Sequence, residues 1–371
     1  MSKTVVVLGG AYAGLHVAHA LLKKNDKNVK VILVTKNSHF YWNLGSVRAV
    51  VPGQYTDKDL FKPIADTLKK YPAESYELVI GSAEGADFDA KSVRVTTPSG
   101  ERTISYDQLV LATGSRTPSD DVPWKAHGSY EEAVALLHAT TDKVKAASHI
   151  VVAGSGPTGV ELAGELGYEY GKTKEIILIS ASDKLVNGDI TGPAAANELK
   201  KLNVTVKYGA GVETTRPSAA DPAKTEVVLK GGEVITTDLY LPTMGLVPNT
   251  EYVPAKYLTE KKLVNVDEFF RVQGTTNVWA AGDLVSKPRA GFMITQKQAA
   301  GVAKNVELAL ADKEPLPVKG LPVDILAMSV GRGRGAGRLN SFKLPSIMVW
   351  LAKGRNMGLP MMAGYLDGTV A

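Results

Sequence analysis

The chain has 371 residues, 44% of them apolar and 22% charged, which suits two or three ordinary globular domains. Its 43 basic and 38 acidic residues leave a scattered net charge of +5, which favours anionic cofactors and does not make nucleic acid an expected partner. No apolar run approaches the roughly 18 residues of a membrane-spanning helix. The absence of cysteine excludes disulfides, thiolate metal sites, cysteine nucleophiles and the C-x-x-C redox pair.

In chain order, a strand begins by Thr4, which leaves no room for a signal or transit peptide, and Ser2 stands where myristoylation needs glycine. A cytoplasmic, non-secreted protein is therefore expected, with room for peripheral contact with an intracellular membrane. Residues 4–17, TVVVLGGAYAGLHV, read as strand, glycine turn and helix, the helix at 13–24 lying between strands at 4–9 and 29–35. Gly9 and Gly14 hold the first and third positions of a G-x-G-x-x-G turn; Gly10 follows the first, and Ala11 takes the second. His16 and His19, three residues apart on that helix, read as solvent-facing or packing residues rather than metal ligands. Residues 36–50 form a loop rich in aromatics (His39 to Trp42), either packed or walling a flat ring system. A helix is expected over 58–70. Alternating runs at 76–88 and 91–97 suggest a small antiparallel meander, and a strand at 106–112 leads to Thr113-Gly114. Residues 117–124 have linker composition.

A helix over 130–146 precedes IVVAGSGPTGVELAGE at 150–165, a full G-x-G-x-x-G between strand and helix. Gly154 allows the tight turn, Gly156 lets backbone approach a pyrophosphate, and Gly159 brings the helix against the strand. Pro157 and Thr158 open the helix, whose N–H groups and dipole favour phosphate. A second meander is expected at 204–215, 225–230 and 233–237, then a strand from Asp238 to Thr243, with Gly245 just beyond. The interval from Gly9 to Asp107 is 98 residues and from Gly154 to Asp238 is 84, so one nucleotide-binding layout occurs twice. After a Pro-rich return at 242–254, TTNVWAAGDLV (275–285) ends a short strand in Gly282-Asp283, and a helix follows over 295–311. Pro315 and Pro317 mark a boundary. The basic tail beyond them holds Gly331-Arg-Gly-Arg-Gly-Ala-Gly337 and an apolar run from Ile347 to Leu351.

These motifs in this order, closing with W-A-A-G-D, resemble the two-dinucleotide flavoprotein reductases. The resemblance implies an α/β fold of two Rossmann-like domains, each with a small meander. FAD would bind residues 1–117 and 246–316, and NADH or NADPH residues 118–245, leaving 317–371 as a short C-terminal segment. A narrower resemblance rests on Ala327-Met-Ser-Val-Gly-Arg-Gly-Arg334, Val349-Trp-Leu-Ala-Lys-Gly-Arg355 and Asn43 to Ala49; it points to the apoptosis-inducing-factor-like group. It implies that Arg48 contacts FAD phosphate and Asp283 the ribityl chain, with Gly9, Gly10, Ala11, Gly14, Lys36, Ala83, Thr113, Gly114 and Met293 completing the flavin site. NAD(P)H would meet Gly154, Gly156, Pro157, Thr158, Gly159, Ser180, Lys184 and Gly245. Members are NAD(P)H:quinone reductases that act at membranes, so a quinone or other small organic acceptor is implied, and a homodimer is left open. The alternatives are an NAD(P)H oxidase, a pathway-specific flavoprotein reductase and a non-enzymatic flavin-bound interaction protein.

The chain departs from this pattern where an acidic residue should follow each third glycine by about 20 positions. The strands end instead in Val34-Thr35-Lys36 and Ile179-Ser180-Ala181. FAD must then rely on Lys36, Arg48 and backbone, and nothing in unit two repels a 2′-phosphate, which Lys184 stands near enough to meet. Two residues are catalytic candidates. Glu161, on the first turn of the second nucleotide helix, is either a carboxylate favoured by the helix dipole or a group that orients the nicotinamide. Lys353 is either a cation closing the quinone side or a solvated lysine. The helix near Thr295 is a candidate source of positive dipole for charge forming on the flavin. Residues 344–362, apolar and aromatic beside cations, have the composition of an interfacial anchor or of a capping segment.

Overall fold

The computed structural model describes residues 2–125, 128–287 and 290–371. Two parallel sheets organise it, an α/β architecture in which each strand run is apolar because helices cover both faces. The first sheet orders its strands Val278–Ala280, Gln108–Leu111, Lys3–Leu8, Val29–Thr35, Tyr76–Ile80. Val5, Val6, Val7 and Leu8 at its centre are wholly buried. The helices Tyr12–Leu22 and Phe292–Leu310 pack against each other beside it. The second sheet orders Val204–Lys207, Glu175–Ile179, His149–Ala153, Leu239–Pro242, and the helix Pro157–Tyr170 follows its His149–Ala153 strand. The chain crosses between the sheets at a two-stranded ribbon, Ser115–Arg116 against Val247–Pro248.

Both meanders form, but the first expected run of each (76–88 and 204–215) splits into an edge strand of the parallel sheet and the first meander strand. Tyr76–Ile80 and Val204–Lys207 are edge strands of the parallel sheets, half-buried because only one flank is covered. The meanders are Ser82–Asp87, Ser92–Thr97, Gly100–Ser105 and Val212–Pro217, Thr225–Leu229, Val234–Thr237. The helix expected over 58–70 is broken. Pro63 lacks an N–H and holds its predecessor extended, so Phe61–Pro63 pairs with His39–Tyr41 between the short helices Asp57–Leu60 and Ile64–Leu68.

The C-terminal residues form more than a short segment. Ile325–Val330, Arg334–Leu339 and Phe342–Leu344 make an antiparallel sheet, followed by helical turns at Ser346–Val349 and Trp350–Gly354 and the helix Met361–Leu366. The glycine-rich stretch is a strand paired on both sides, and its glycines make room for Val349: a Cβ on Gly335 or Gly337 would come within 2.5 or 2.7 Å of the Val349 methyls.

His16 and His19 are buried packing residues, 1% and 0% exposed. Neither ring nitrogen of His16 has a partner; His19 reaches the Tyr71 hydroxyl through Nδ1 at 2.9 Å, and its Nε2 has none. Burial, with Lys23 near both rings and Lys70 near His19, pushes each pKa from 6.5 down to about 4. The fold thus holds neutral imidazoles, and this stability, complete above pH 6.5, is lost as pH falls towards 4. Calorimetry should show the melting midpoint dropping across that window, with a smaller drop in His16→Leu.

Candidate functional site

A cavity of about 500 Å³ opens where all five strands of the first sheet end. Its lining comes from the residues just after each strand: Gly9 to Ala13, Thr35 to Asn37, Gly81 to Glu84, Thr113 to Arg116, and Gly282 with Asp283. Carboxyl ends of parallel strands are where α/β sheets bind ligands, and the volume suits a small-molecule site. Of the residues expected around the flavin, Gly9, Gly10, Ala11, Lys36, Ala83, Thr113, Gly114 and Asp283 line it.

The two glycine turns share one geometry. Gly9 and Gly154 both adopt φ +109°, a conformation that L side chains rarely take. A Cβ on Gly14 would lie 1.7 Å from the Gly9 carbonyl oxygen, and one on Gly159 would lie 1.7 Å from that of Gly154. Gly14 therefore packs helix on strand and does not reach the cavity. Gly156 has open space around its Cβ position, with Pro157 and Thr158 opening the helix behind it.

The aromatic loop divides between its two readings. His39 and Tyr41 line the cavity, while Phe40 and Trp42 turn into a cluster with Tyr12, Phe292 and Tyr365. Tyr12 belongs to both, and its hydroxyl donates to Asn43 Oδ1 at 2.8 Å. Asp283 accepts from Ser115 Oγ at 3.1 Å and from Lys125 Nζ at 2.6 Å. Lys125 is a cation that sequence reasoning missed, because it sits in a linker with no motif around it. Its neighbours tie that linker down: Tyr41 donates to the Pro123 carbonyl, Asn43 to that of Trp124, and Trp124 Nε1 to that of Pro242.

The catalytic candidates meet. Lys353 Nζ lies 2.7 Å from Glu161 Oε1, which also accepts from the Ser329 amide at 3.0 Å. The pair lies outside the cavity lining, joined to it through the aromatic cluster. The Tyr12 and Trp42 rings are 5.6 Å apart, Trp42 Nε1 donates to the Met357 carbonyl, and Ser329 Oγ meets Met357 Sδ at 3.3 Å.

Three expected contacts are placed elsewhere. Arg48, 4% exposed, turns away from the cavity: Nε and Nη2 donate to Glu165 Oε1 at 2.9 and 2.7 Å, and Nη2 and Nη1 to the carbonyls of Gly354 and Arg355 at 2.7 and 3.1 Å. Burial disfavours the guanidinium charge, but the Glu165 hydrogen bonds outweigh it and raise the Arg48 pKa. A buried cation needs a carboxylate, and Glu165 supplies one where the phosphate contact was expected. Met293 lies 43% exposed in the first turn of its helix and outside the lining, whereas Thr295 lines the cavity. Ser180 is wholly buried, its hydroxyl 2.8 Å from Ser155 Oγ and donating to the Lys184 carbonyl at 3.1 Å, so it braces the glycine turn instead of facing solvent. The Lys184 side chain is exposed, and Gly245 (φ +79°) takes the turn in which a Cβ would meet Pro118 at 2.9 Å. Among the described residues, no cluster of three or more His, Asp or Glu is placed to hold a metal.

The second turn separates two glycine roles. Gly156→Ala should fold normally, because its Cβ has room, while any dinucleotide whose pyrophosphate met this turn would be crowded and its KM raised. Gly159→Ala should instead lower the melting midpoint sharply through the clash with Gly154. Thermal melts and steady-state kinetics on the two variants check this.

The pyridine nucleotide-disulphide oxidoreductase family model matches residues 3–311. The chain is 38% identical over 354 residues to oxidoreductase ptaL of Pestalotiopsis fici, covering 94% of each protein. It is 27% identical over 370 residues to ferroptosis suppressor protein 1 of Xenopus tropicalis, covering 96% of this chain and 94% of that one. Among solved structures, the sulfide:quinone oxidoreductase of Aquifex aeolicus superposes with a TM-score of 0.76 at 18% identity, covering 100% of this chain and 93% of the other. The cofactors are FAD and NAD(P)H, and the cavity fits FAD: its glycine turn admits no side chain at Gly9 or Gly14, and the Asp283 carboxylate accepts from hydroxyl donors. In sequence and in fold, the chain belongs to the pyridine nucleotide-disulphide oxidoreductase family.

Proposed function

We propose that this protein is an FAD-dependent NAD(P)H:quinone oxidoreductase, with FAD in the cavity of the first sheet and NAD(P)H on the 154–159 turn. When bound, FAD supplies the chemistry of accepting a hydride and passing it on. The carrying observation is the Lys353–Glu161 ion pair at 2.7 Å, behind the aromatic end of that cavity. Reducing a quinone to its hydroquinone takes up one proton besides the hydride, and Lys353 Nζ holds a proton that it can donate to the quinone oxygen. Glu161 holds that ammonium in place. The missing cysteines remove the dithiol chemistry in the family's name, so the reducing equivalents leave to an acceptor outside the chain, which we read as organic. The resemblance to the apoptosis-inducing-factor-like group supports a quinone. Asp183 is the one carboxylate in the 180–184 loop and stands beside Lys184, which suits NADH and NADPH alike.

The C-terminal residues support a peripheral membrane role. Val349, Met357, Met362 and Tyr365 are buried, while Phe342, Ile347, Met348 and Leu351 are 75, 52, 52 and 58% exposed, with Lys343 and Arg355 exposed in the same segment. Ile325, Leu339 and Phe342 lie abreast in one sheet row, all exposed, which widens the apolar surface. No described helix is long and apolar enough to cross a bilayer, so contact would be interfacial and would meet a lipid-soluble quinone where it dissolves.

The purified protein should be yellow, bleach anaerobically with either NADH or NADPH, and recover colour on adding a quinone. Lys353→Met should leave bleaching intact and cut quinone turnover by about a hundredfold, the usual scale of a lost general acid. Oxygen reoxidising the flavin as fast as any quinone would overturn the acceptor. For the membrane role, Phe342→Ser/Ile347→Ser/Leu351→Ser should lose co-sedimentation with liposomes and turnover of long-tailed quinones, yet keep turnover of a short soluble quinone. Unchanged co-sedimentation would remove that role.

A further inference from the structure

The helix Pro157–Tyr170 carries Glu161, Glu165 and Glu169 at four-residue spacing, so the three carboxylates stack along one face. That face meets the C-terminal sheet at very close range: a Cβ on Gly164 would lie 2.7 Å from the Gly331 amide nitrogen and 3.0 Å from Val330 Cα. Glu161 takes Lys353; Glu165, 0% exposed, takes Arg48 through Oε1 and Arg332 through Oε2 at 3.2 Å; Glu169 takes Arg332 Nη1 at 2.8 Å. Three anions face three cations at the seam. Arg48 alone among those cations comes from the first sheet's domain, on the short helix Ser46–Ala49.

We propose that Arg48 and Glu165 are positioning residues, a buried clamp that seats Lys353 against Glu161. The geometry is specific. Arg48 joins Glu165 to the carbonyls of Gly354 and Arg355, the two residues directly after Lys353. Glu165 stands one helical turn from Glu161. One end of the clamp therefore fixes the helix that bears the carboxylate, and the other fixes the backbone that bears the ammonium. Four of the five Arg48 N–H donors go into these contacts, which leaves little of the guanidinium for a phosphate. Lysine cannot replace it, since a point ammonium lacks the planar fork that spans a carboxylate and two carbonyls.

The inference rests on the reading of Lys353 as the acceptor-side proton donor, and the test separates the two. In holoenzyme, reductive methylation with 13C-formaldehyde gives an NMR signal for Lys353, assigned by its loss in Lys353→Met. Its titration should move in Arg48→Lys and in Glu165→Gln, the second variant serving if the first does not fold. Quinone kcat should fall by about ten- to hundredfold in Arg48→Lys, the scale of a small misplacement near the chemistry. FAD affinity and NAD(P)H-driven bleaching should stay at wild-type values. In a Lys353→Met background, adding Arg48→Lys should lower turnover no further. An unmoved Lys353 titration overturns the clamp, as does a fall in FAD affinity that accounts for all the lost turnover, or a full additional loss in the double variant. A moved titration in Arg48→Lys together with undiminished turnover in Lys353→Met upholds the clamp and overturns the acceptor role of Lys353.

Discussion

The structure depends on one backbone contact made twice: a glycine carbonyl pressed against the Cα of another glycine five residues on. At Gly9 and Gly14, and again at Gly154 and Gly159, the gap is too small for a methyl group. That contact brings the helix start over the strand end, so its first N–H groups, which have no partner inside the helix, point to where the sheet's carboxyl ends gather. Once the turn is set, the rest of the first sheet has one place to open, and all five strands deliver their following residues to the same cavity. The second turn repeats the geometry with room left at Gly156, the position that Ala11 occupies in the first.

The second nucleotide helix then has two tasks at once. Its N-terminus carries the Gly154–Gly159 turn, while its flank carries Glu161, Glu165 and Glu169 against the C-terminal residues and Arg48. Burying Glu161 and Glu165 is unfavourable unless each has a cation, and both do, while the exposed Glu169 adds a pair with Arg332 at the rim. The matching of charges makes the seam selective. A sheet docked one residue out of register would leave a guanidinium or a carboxylate unpaired at a site that excludes water. The C-terminal residues are therefore held in one place relative to the 154–159 turn, with Lys353 among them.

Much of this was legible in the chain. Runs such as Val5–Leu8 and Ile150–Ala153 announce buried parallel strands, and glycines at fixed spacing announce the turns, because both signals are local. The residues after each strand, Lys36, Thr113 and Asp283 among them, fall in the cavity for the same reason: a parallel sheet brings its carboxyl ends together. What could not be read is non-local. Tyr76–Ile80 alternates like a meander strand because it is an edge, and only the partner sheet shows which edge it is. Lys125 has no motif; it enters the cavity because Tyr41, Asn43 and Trp124 pin the linker around it. Arg48 sits in a stretch that resembles a phosphate-contacting one, yet its partner lies 117 residues away. The four-residue spacing of the three glutamates was visible, but a solvated helix face shows the same spacing, so it carried no meaning until their cations were placed.

The C-terminal residues show how composition alone leaves two functions open that geometry can satisfy together. Apolar bulk beside lysine and arginine suits both an anchor and a cap, and the difference lies in which side chains face inward. Glycines at 335 and 337 let Val349 settle on the sheet, which turns Ile347, Met348 and Leu351 outward. The same docking brings Met357 under Trp42 and Ser329, and Tyr365 into the aromatic cluster beside the cavity. The inward face therefore packs on the aromatic cluster beside the cavity, and the outward face is left apolar over the same span of chain. Under the proposed function, an acceptor dissolved in a lipid surface would meet that outward face first, and Lys353, in the same span of chain, is part-exposed and already paired to Glu161.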